Sequence, residues 1–268
     1  MEYTLVFNQK QTSSLVPNPI KIGIEQNIFD TIKERISTKK LLCNNIKVTS
    51  VTLNEIVVED FFSDIMKVED VYRYIVTVCK GKYPKLEKHT NNKFKNSSFN
   101  DYCCSDDKET KSIILILESP HKDEYCNLNN IYTPIAPAQG KTGNRIKNNI
   151  SIVVNELINN EIYNSSLSSG KYRLIICNPV QFQTSLYYLH NEGIIKNLRD
   201  RVWKEIFNQE KVKYNFYSRL SKYYPSVIIN ACTESCSKEV GDFIKTKFSN
   251  IEYHKTNHPF AWGDFNIE

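Results

Sequence analysis

Residues 113–123, IILILESPHKD, carry five aliphatic side chains directly into Glu118, Ser119, Pro120, His121, Lys122 and Asp123. A buried strand that ends in ionisable groups has the pattern of an active-site rim, because the sheet holds the backbone while the next side chains face a cleft. Two more short runs end in the same manner: RLIIC (173–177) leads into NPVQFQTS and SVIIN (226–230) into NACTES; NIEYHKT (250–256) closes the series and leads into NHPFAW. Glu118 suits a general base. His258 precedes a proline, which restricts its backbone to extended geometry and gives the imidazole a fixed direction for donating a hydrogen bond or stabilising developing charge. Asn178, also before a proline, offers an amide donor and acceptor of the kind needed to read a base edge or orient a water. Taken singly, a glutamate after a strand is more often a cap and a histidine before proline a turn residue. Their recurrence at equivalent strand ends is what points to a site.

Other chemistries are weaker. Asp123 and Glu124 either cap a helix or supply the water activator in place of Glu118. His121 and Asp123 form an HxD pair without further His or Asp at convincing spacing, so no metal is expected. Ser119 and His121 lack the glycines of a nucleophile elbow, which argues against a serine hydrolase. GKTGNRI (140–146) matches the end of a phosphate loop, but Ile135 stands where that motif needs its first glycine. Gly140 and Gly143 still permit close backbone approach, and Lys141, Asn144 and Arg145 at a helix start could hold an anion such as a DNA phosphate. The eight cysteines include the adjacent pair Cys103 and Cys104 and fit neither a disulfide framework nor a closed zinc site. Cys232 and Cys236 share one helical face but make only half a site, so inert thiols are the expectation.

The elements that must position these groups alternate between two periods. After each apolar run comes a helical stripe, as with Ile146, Ile150, Val153, Val154 and Leu157 in GNRIKNNISIVVNELINN. Strand alternating with helix implies parallel strands covered on both faces, which explains why IILIL is apolar throughout. The expected fold class is α/β, a three-layer sandwich with a mainly parallel central sheet over residues 112–268, plus a partly helical N-terminal extension. In that extension, 1–87, Ile24, Ile28, Ile32 and Ile36 form one stripe and Val68, Val71, Tyr72, Ile75 and Cys79 another, so the region is expected to be a largely helical accessory unit. Residues 88–111, polar and rich in Asn, Ser and Lys, read as a linker or long loop. With 268 residues, 40% hydrophobic and 24% charged, the composition is that of a soluble protein. No apolar run approaches the roughly 20 residues of a membrane helix. The first residues lack a secretion signal, so a cytoplasmic setting and no membrane partner are expected. The net charge of +5 is compatible with a phosphate-backbone partner without requiring one.

The motif order LESPHKDE, PAQGKTGNRI, LIICNPVQF, VIINACT and NHPFAW resembles the uracil-DNA glycosylase superfamily over roughly residues 111–263. The similarity is nearest to the branch whose first motif reads G-E-x-P-G, with Glu118 and Pro120 retained. Leu117 and His121 stand where that branch has glycines, Ser119 where other branches carry an aspartate, and Phe260 and Ala261 where a serine and proline are common. No cysteine set matches the iron–sulfur ligands of some branches, and no cofactor is implied. The resemblance implies hydrolysis of an N-glycosidic bond on an extruded nucleotide, with Glu118 near C1′ and His258 near the leaving base; Asp123 stays the alternative water activator read from the residues themselves. Asn178 would read the base, Phe182 would stack on it, and Ser119, Pro120 and His121 would shape the pocket. Lys141, Asn144, Arg145, Arg199 and Arg201 would contact phosphates, and Phe260 or Trp262 would act as wedge or stacking surface. Departures in the first motif point to a damaged or modified base, such as one in phage DNA, rather than ordinary uracil. The alternatives are a non-catalytic nucleic-acid-binding module and a nucleoside or nucleotide hydrolase.

Overall fold

The computed structural model describes residues 2–10, 15–16, 19–38, 45–88, 111–159, 165, 167–191, 193 and 195–262. In chain order the strands are β1 (Tyr3–Asn8), β2 (Ile20–Ile24), β3 (Lys47–Val51), β4 (Glu55–Glu59), β5 (Val71–Cys79), β6 (Lys82–Lys88), β7 (Ser112–Ile116), β8 (Tyr125–Leu128), β9 (Ile131–Pro134), β10 (Gly170–Cys177), β11 (Pro225–Asn230) and β12 (Glu252–Lys255). The α-helices are α1 (Gln26–Ser37), α2 (Gly140–Asn159), α3 (Tyr187–His190), α4 (Lys196–Phe207), α5 (Glu210–Lys222) and α6 (Glu234–Lys247). The chain divides into two compact units, one of Met1–Val68, Ser119–Ile135 and Val180–Asn215, the other of Glu69–Glu118, Ala136–Pro179 and Phe216–Glu268.

The first unit is organised around a four-stranded sheet of order β2-β1-β4-β3, in which β1 runs parallel to β4 and the outer strands are antiparallel. Helix α1 buries Ile28, Phe29 and Ile32, so the middle of the period-four isoleucine stripe is a helix face, whereas Ile24 ends strand β2 and Ile36 is only partly buried. The β8–β9 hairpin turns through Asn129 and Asn130, both at positive φ (53° and 62°), a conformation that asparagine tolerates better than most residues.

The second unit holds a six-stranded sheet of order β12-β11-β7-β10-β5-β6. Strands β12, β11, β7 and β10 are mutually parallel, and β5 and β6 are added antiparallel at one side. Leu115, Leu174 and Ile229 pack in one core with Ile146, Ile150 and Val153 of α2. Residues on the alternate face, among them Ile114, Ile116, Ile175 and Ile228, are fully buried too. Burial of both faces is the physical reason for the unbroken aliphatic runs. The protein is thus a mixed α/β structure with a mostly parallel central sheet.

The N-terminal region departs from expectation. Val71, Tyr72, Ile75 and Cys79 lie in strand β5, and Val68 precedes it, instead of forming a helical stripe. Strand alternation overrides the helical spacing there, with Tyr74, Val76 and Val78 turned into the core of the second unit. Among the described residues, α1 is the one α-helix before residue 88, beside six strands, so the region is not largely helical. Nor does it form a separate accessory body, since β5 pairs with β10 along Val71–Val78. Of the expected linker 88–111, only Lys88 and Lys111 belong to the described residues.

Candidate active site

The parallel strands of the second unit end level with one another. Cys177 pairs with Ile116, Ile116 with Asn230, and Asn230 with Lys255. The ladder continues one step further: Leu117 N donates to Cys177 O at 2.9 Å, Ala231 N to Ile116 O at 2.9 Å, and Thr256 N to Asn230 O at 2.9 Å. Glu118 and Asn178 therefore leave adjacent strands, whose backbones are about 4.8 Å apart in any parallel pair. His258 leaves the same rim two strands from Glu118, on the far side of β11. From β7 the chain crosses to β10 on one side, and from β11 it crosses to β12 on the other. In open α/β sheets, ligands bind at the carboxyl ends of the strands where connections diverge in this way, which here are β7 and β11. Glu118 and Thr233 stand just beyond those two ends.

Glu118 is buried, 5% exposed, and Thr233 Oγ1 donates a hydrogen bond to its Oε2. Thr233 precedes α6 with extended backbone. Its hydroxyl is spent on the carboxylate rather than on capping the helix, since it makes no side-chain cap bond. Beside it, the Cys232 thiol donates to Leu117 O at 2.6 Å. Burial, and secondarily the Glu118 charge, push that thiol well up, so it remains a protonated donor. Cys236 is buried as well.

Asn178 is 0% exposed. Neither its Nδ2 nor its Oδ1 finds a hydrogen-bond partner among the described residues. A buried amide with both polar atoms unsatisfied is uncommon in native structures. Its own backbone, by contrast, is tied down: Arg219 Nη2 donates to Asn178 O at 2.9 Å. Asn230, two strands away, has its amide fully engaged, with Nδ2 donating to Ser237 O and to Tyr253 Oη, each at 2.9 Å. Asparagines at two strand ends thus differ sharply, one structural and one with its side chain uncommitted.

His258 opens a short 3-10 turn, Pro259–Ala261, and its Nδ1 accepts from Phe260 N at 3.3 Å. Phe260 is 60% exposed, whereas Trp262 is 1% exposed with Nε1 donating to Asn257 O at 2.8 Å. Trp262 is therefore no wedge or stacking surface. Its indole anchors the turn in the core, and Asn149 Nδ2 and Arg145 Nη1 reach its carbonyl at 3.3 and 3.5 Å. Arg145 thus serves the fold directly, while Lys141 and Asn144 are exposed on the first turns of α2.

Gly143 has a packing role. A Cβ there would collide with Ala138 O, so the close approach expected of this glycine is made by the protein's own backbone. The same turn is gripped by buried Arg73, which donates to Ala138 O at 2.6 Å and to Pro137 O.

The remaining candidates belong to the first unit. Ser119 Oγ shares a hydrogen bond of 2.8 Å with Thr184 Oγ1, and Pro120 is buried. His121 Nδ1 lies 3.4 Å from both the backbone N and Oδ2 of Asp123, so these two residues engage each other across a surface turn. Burial holds the His121 imidazole below its ordinary range, against the pull of Asp123, and keeps it neutral near pH 7. Phe182 is 2% exposed with its ring edge-on to Phe62 at 5.9 Å. Arg199 pairs with Asp200 at 2.6 Å, and Arg201 pairs with Glu25 at 2.6 Å while donating to Gly23 O. Both arginines are committed to protein partners.

No protein-family model, curated protein or solved structure matches the chain. The likeness to the uracil-DNA glycosylase superfamily rests on the motifs alone, so the arrangement of side chains carries the functional argument. Sequence reasoning missed Thr233, although NACTES was among the strand-end segments. It also missed Asp70, Arg219 and Tyr223, which are far from the motifs in sequence and signalled by nothing in the local pattern.

Among the described residues no helix is long and apolar enough to cross a membrane.

Proposed function

We propose that the second unit is a three-layer α/β hydrolase of N-glycosidic bonds, acting in the cytoplasm on a damaged or modified base flipped out of DNA. The observation that carries this reading is the pairing, on adjacent strand ends, of a buried carboxylate held by a hydroxyl with a buried amide that has no hydrogen-bond partner among the described residues. An unengaged donor–acceptor pair matches the hydrogen-bonding edge of a nucleobase, and the burial of such a group without a partner is otherwise unfavourable. In the reaction, Glu118 orients water and takes its proton as the water oxygen attacks C1′. The C1′–N bond breaks, and its electron pair leaves with the base. The sugar passes through an oxocarbenium-like state that the Glu118 carboxylate stabilises. His258 and Asn178 donate to the leaving base, which finally receives the proton. Lys141 and Asn144 lie on the α2 start as phosphate contacts, and exposed Phe260 is the wedge that replaces the extruded base.

A modified base of invading phage DNA is the substrate that best suits the departures in the first motif. The rival reading is a module that binds single strands or bases without cleaving them, and a nucleoside or nucleotide hydrolase is the third. All three are separated by one experiment. Duplex oligonucleotides carrying a panel of modified pyrimidines and purines, and the matching free nucleosides, are incubated with the protein, and released base is sought by mass spectrometry. Release from DNA that Glu118→Gln abolishes while DNA binding persists supports the glycosylase. Release from nucleosides alone supports the third reading, and salt-sensitive binding without release supports the second.

A further inference from the structure

Asp70, Arg219 and Tyr223 form a buried group in the second unit that the proposed chemistry does not use. Asp70 lies immediately before β5, Arg219 on α5, and Tyr223 just after that helix. Arg219 Nη1 donates to Asp70 Oδ2, and Tyr223 Oη donates to the same oxygen at 2.7 Å. The second arm of the guanidinium, Nη2, donates to Asn178 O at 2.9 Å. Side-chain exposure is 12% for Arg219 and 2% for Asp70. Burial, then the Asp70 charge, hold the Tyr223 hydroxyl protonated far above neutral pH, so its donor role persists.

We infer that Arg219, held by Asp70 and Tyr223, is a positioning residue that fixes the backbone of Asn178 and thereby aims its uncommitted amide. This rests on the reading of Asn178 as the group that meets the base. Three features carry the inference. The planar guanidinium fork can engage a carboxylate with one arm and a carbonyl with the other, which a lysine ammonium cannot reproduce in the same plane. The anchored carbonyl belongs to the very residue whose side-chain amide has no hydrogen-bond partner among the described residues. Pro179 follows, so the preceding residue is restricted to extended backbone and the carbonyl anchor sets what freedom remains. A buried ion pair adds little net stability compared with apolar packing, which makes specificity of placement the better account of its presence.

The test uses the full chain with Arg219→Lys, Asn178→Ala and the double variant. The first readout needs no activity: the side-chain amide signals of Asn178 in ¹⁵N-labelled protein, assigned by their loss in Asn178→Ala. Arg219→Lys is expected to shift them while the signals of the Asn230 amide stay in place. The second readout is single-turnover base release from whichever DNA proves to be a substrate. Arg219→Lys is expected to slow it on the order of tenfold or more, with DNA affinity nearly unchanged, as a misplaced recognition group does. The double variant should be no slower than Asn178→Ala alone, because Arg219 acts through Asn178. Unmoved Asn178 signals overturn the inference, and so does a double variant whose loss is the product of the single losses. Should Arg219→Lys not fold, Tyr223→Phe, which removes one support of Asp70 and leaves the guanidinium, is read by the same two measures. If wild-type protein releases base from no DNA, the glycosylase reading fails, and the amide signals alone still decide whether the latch exists.

Discussion

Replacing Asn178 with leucine should make the unliganded protein more stable and the site inactive. Leucine keeps the branch at Cγ and substitutes two methyl groups for the amide oxygen and nitrogen. In the native chain those two atoms are fully buried without a partner among the described residues. Burying such a group costs about 1–3 kcal/mol by protein mutational data. Leucine removes that cost and adds apolar contact, against which the slightly larger methyls introduce crowding that seldom exceeds about 1 kcal/mol for near-isosteric changes. A net stabilisation of about 1–2 kcal/mol follows, and at roughly 2–4 °C per kcal/mol for chains of this class Tm should rise by about 2–8 °C. Differential scanning calorimetry of the unliganded proteins measures it. Base release should fall at least a hundredfold in parallel, because a hydrogen-bonding edge would then face methyl groups. A variant destabilised by more than about 1 kcal/mol would refute the reasoning, since it would mean that the amide serves the fold and is satisfied by it.

Three other outcomes can be checked with simple variants. Thr233→Val should slow base release about ten- to hundredfold, the loss expected of one hydrogen bond to a charged group, while Thr233→Ser restores most of the rate; equal losses in both would remove Thr233 from the site. Gly143→Ala must displace the backbone at Ala138 and should destabilise the protein by about 1–3 kcal/mol in urea titration, with no change counting against the close approach. The hydrogen bond from Arg201 holds the Glu25 carboxyl below its ordinary value of 4.5. A depressed folded-state value stabilises above the unfolded one and is lost as pH falls. Glu25→Gln should therefore be less stable than wild type near pH 7, by no more than about 0.2–1 kcal/mol for so exposed a pair. That difference should vanish as pH drops through and below 4.5, and a difference that grows in acid would contradict the assignment.

What could be read from sequence follows physical lines. Strands β7, β10 and β11 were legible because burial on both faces demands unbroken aliphatic runs, and α2 because its apolar side repeats with the helical period. Strand β5 was not, since Val71, Tyr72, Ile75 and Cys79 happen to fall at helical spacing. The better signal was its content of β-branched and aromatic residues, VYRYIVTV, with Tyr74, Val76 and Val78 alternating. Strand ends located Glu118, Asn178 and His258, but not what each touches. Trp262 looked like a wedge because large aromatics near a closing loop are ambiguous, and its indole proves to anchor that loop. Partners far apart in the chain, such as Asp70 and Arg219, separated by 149 positions, leave no local pattern to detect.

The central claim is that Glu118 drives hydrolysis of the bond between a sugar and its base. Mass spectrometry of the products formed from modified-base oligonucleotides, with wild-type protein and Glu118→Gln side by side, tests it most directly. The account predicts free base and an abasic strand from wild type, and neither from the variant although it still binds the DNA. Equal base release by both proteins would contradict it.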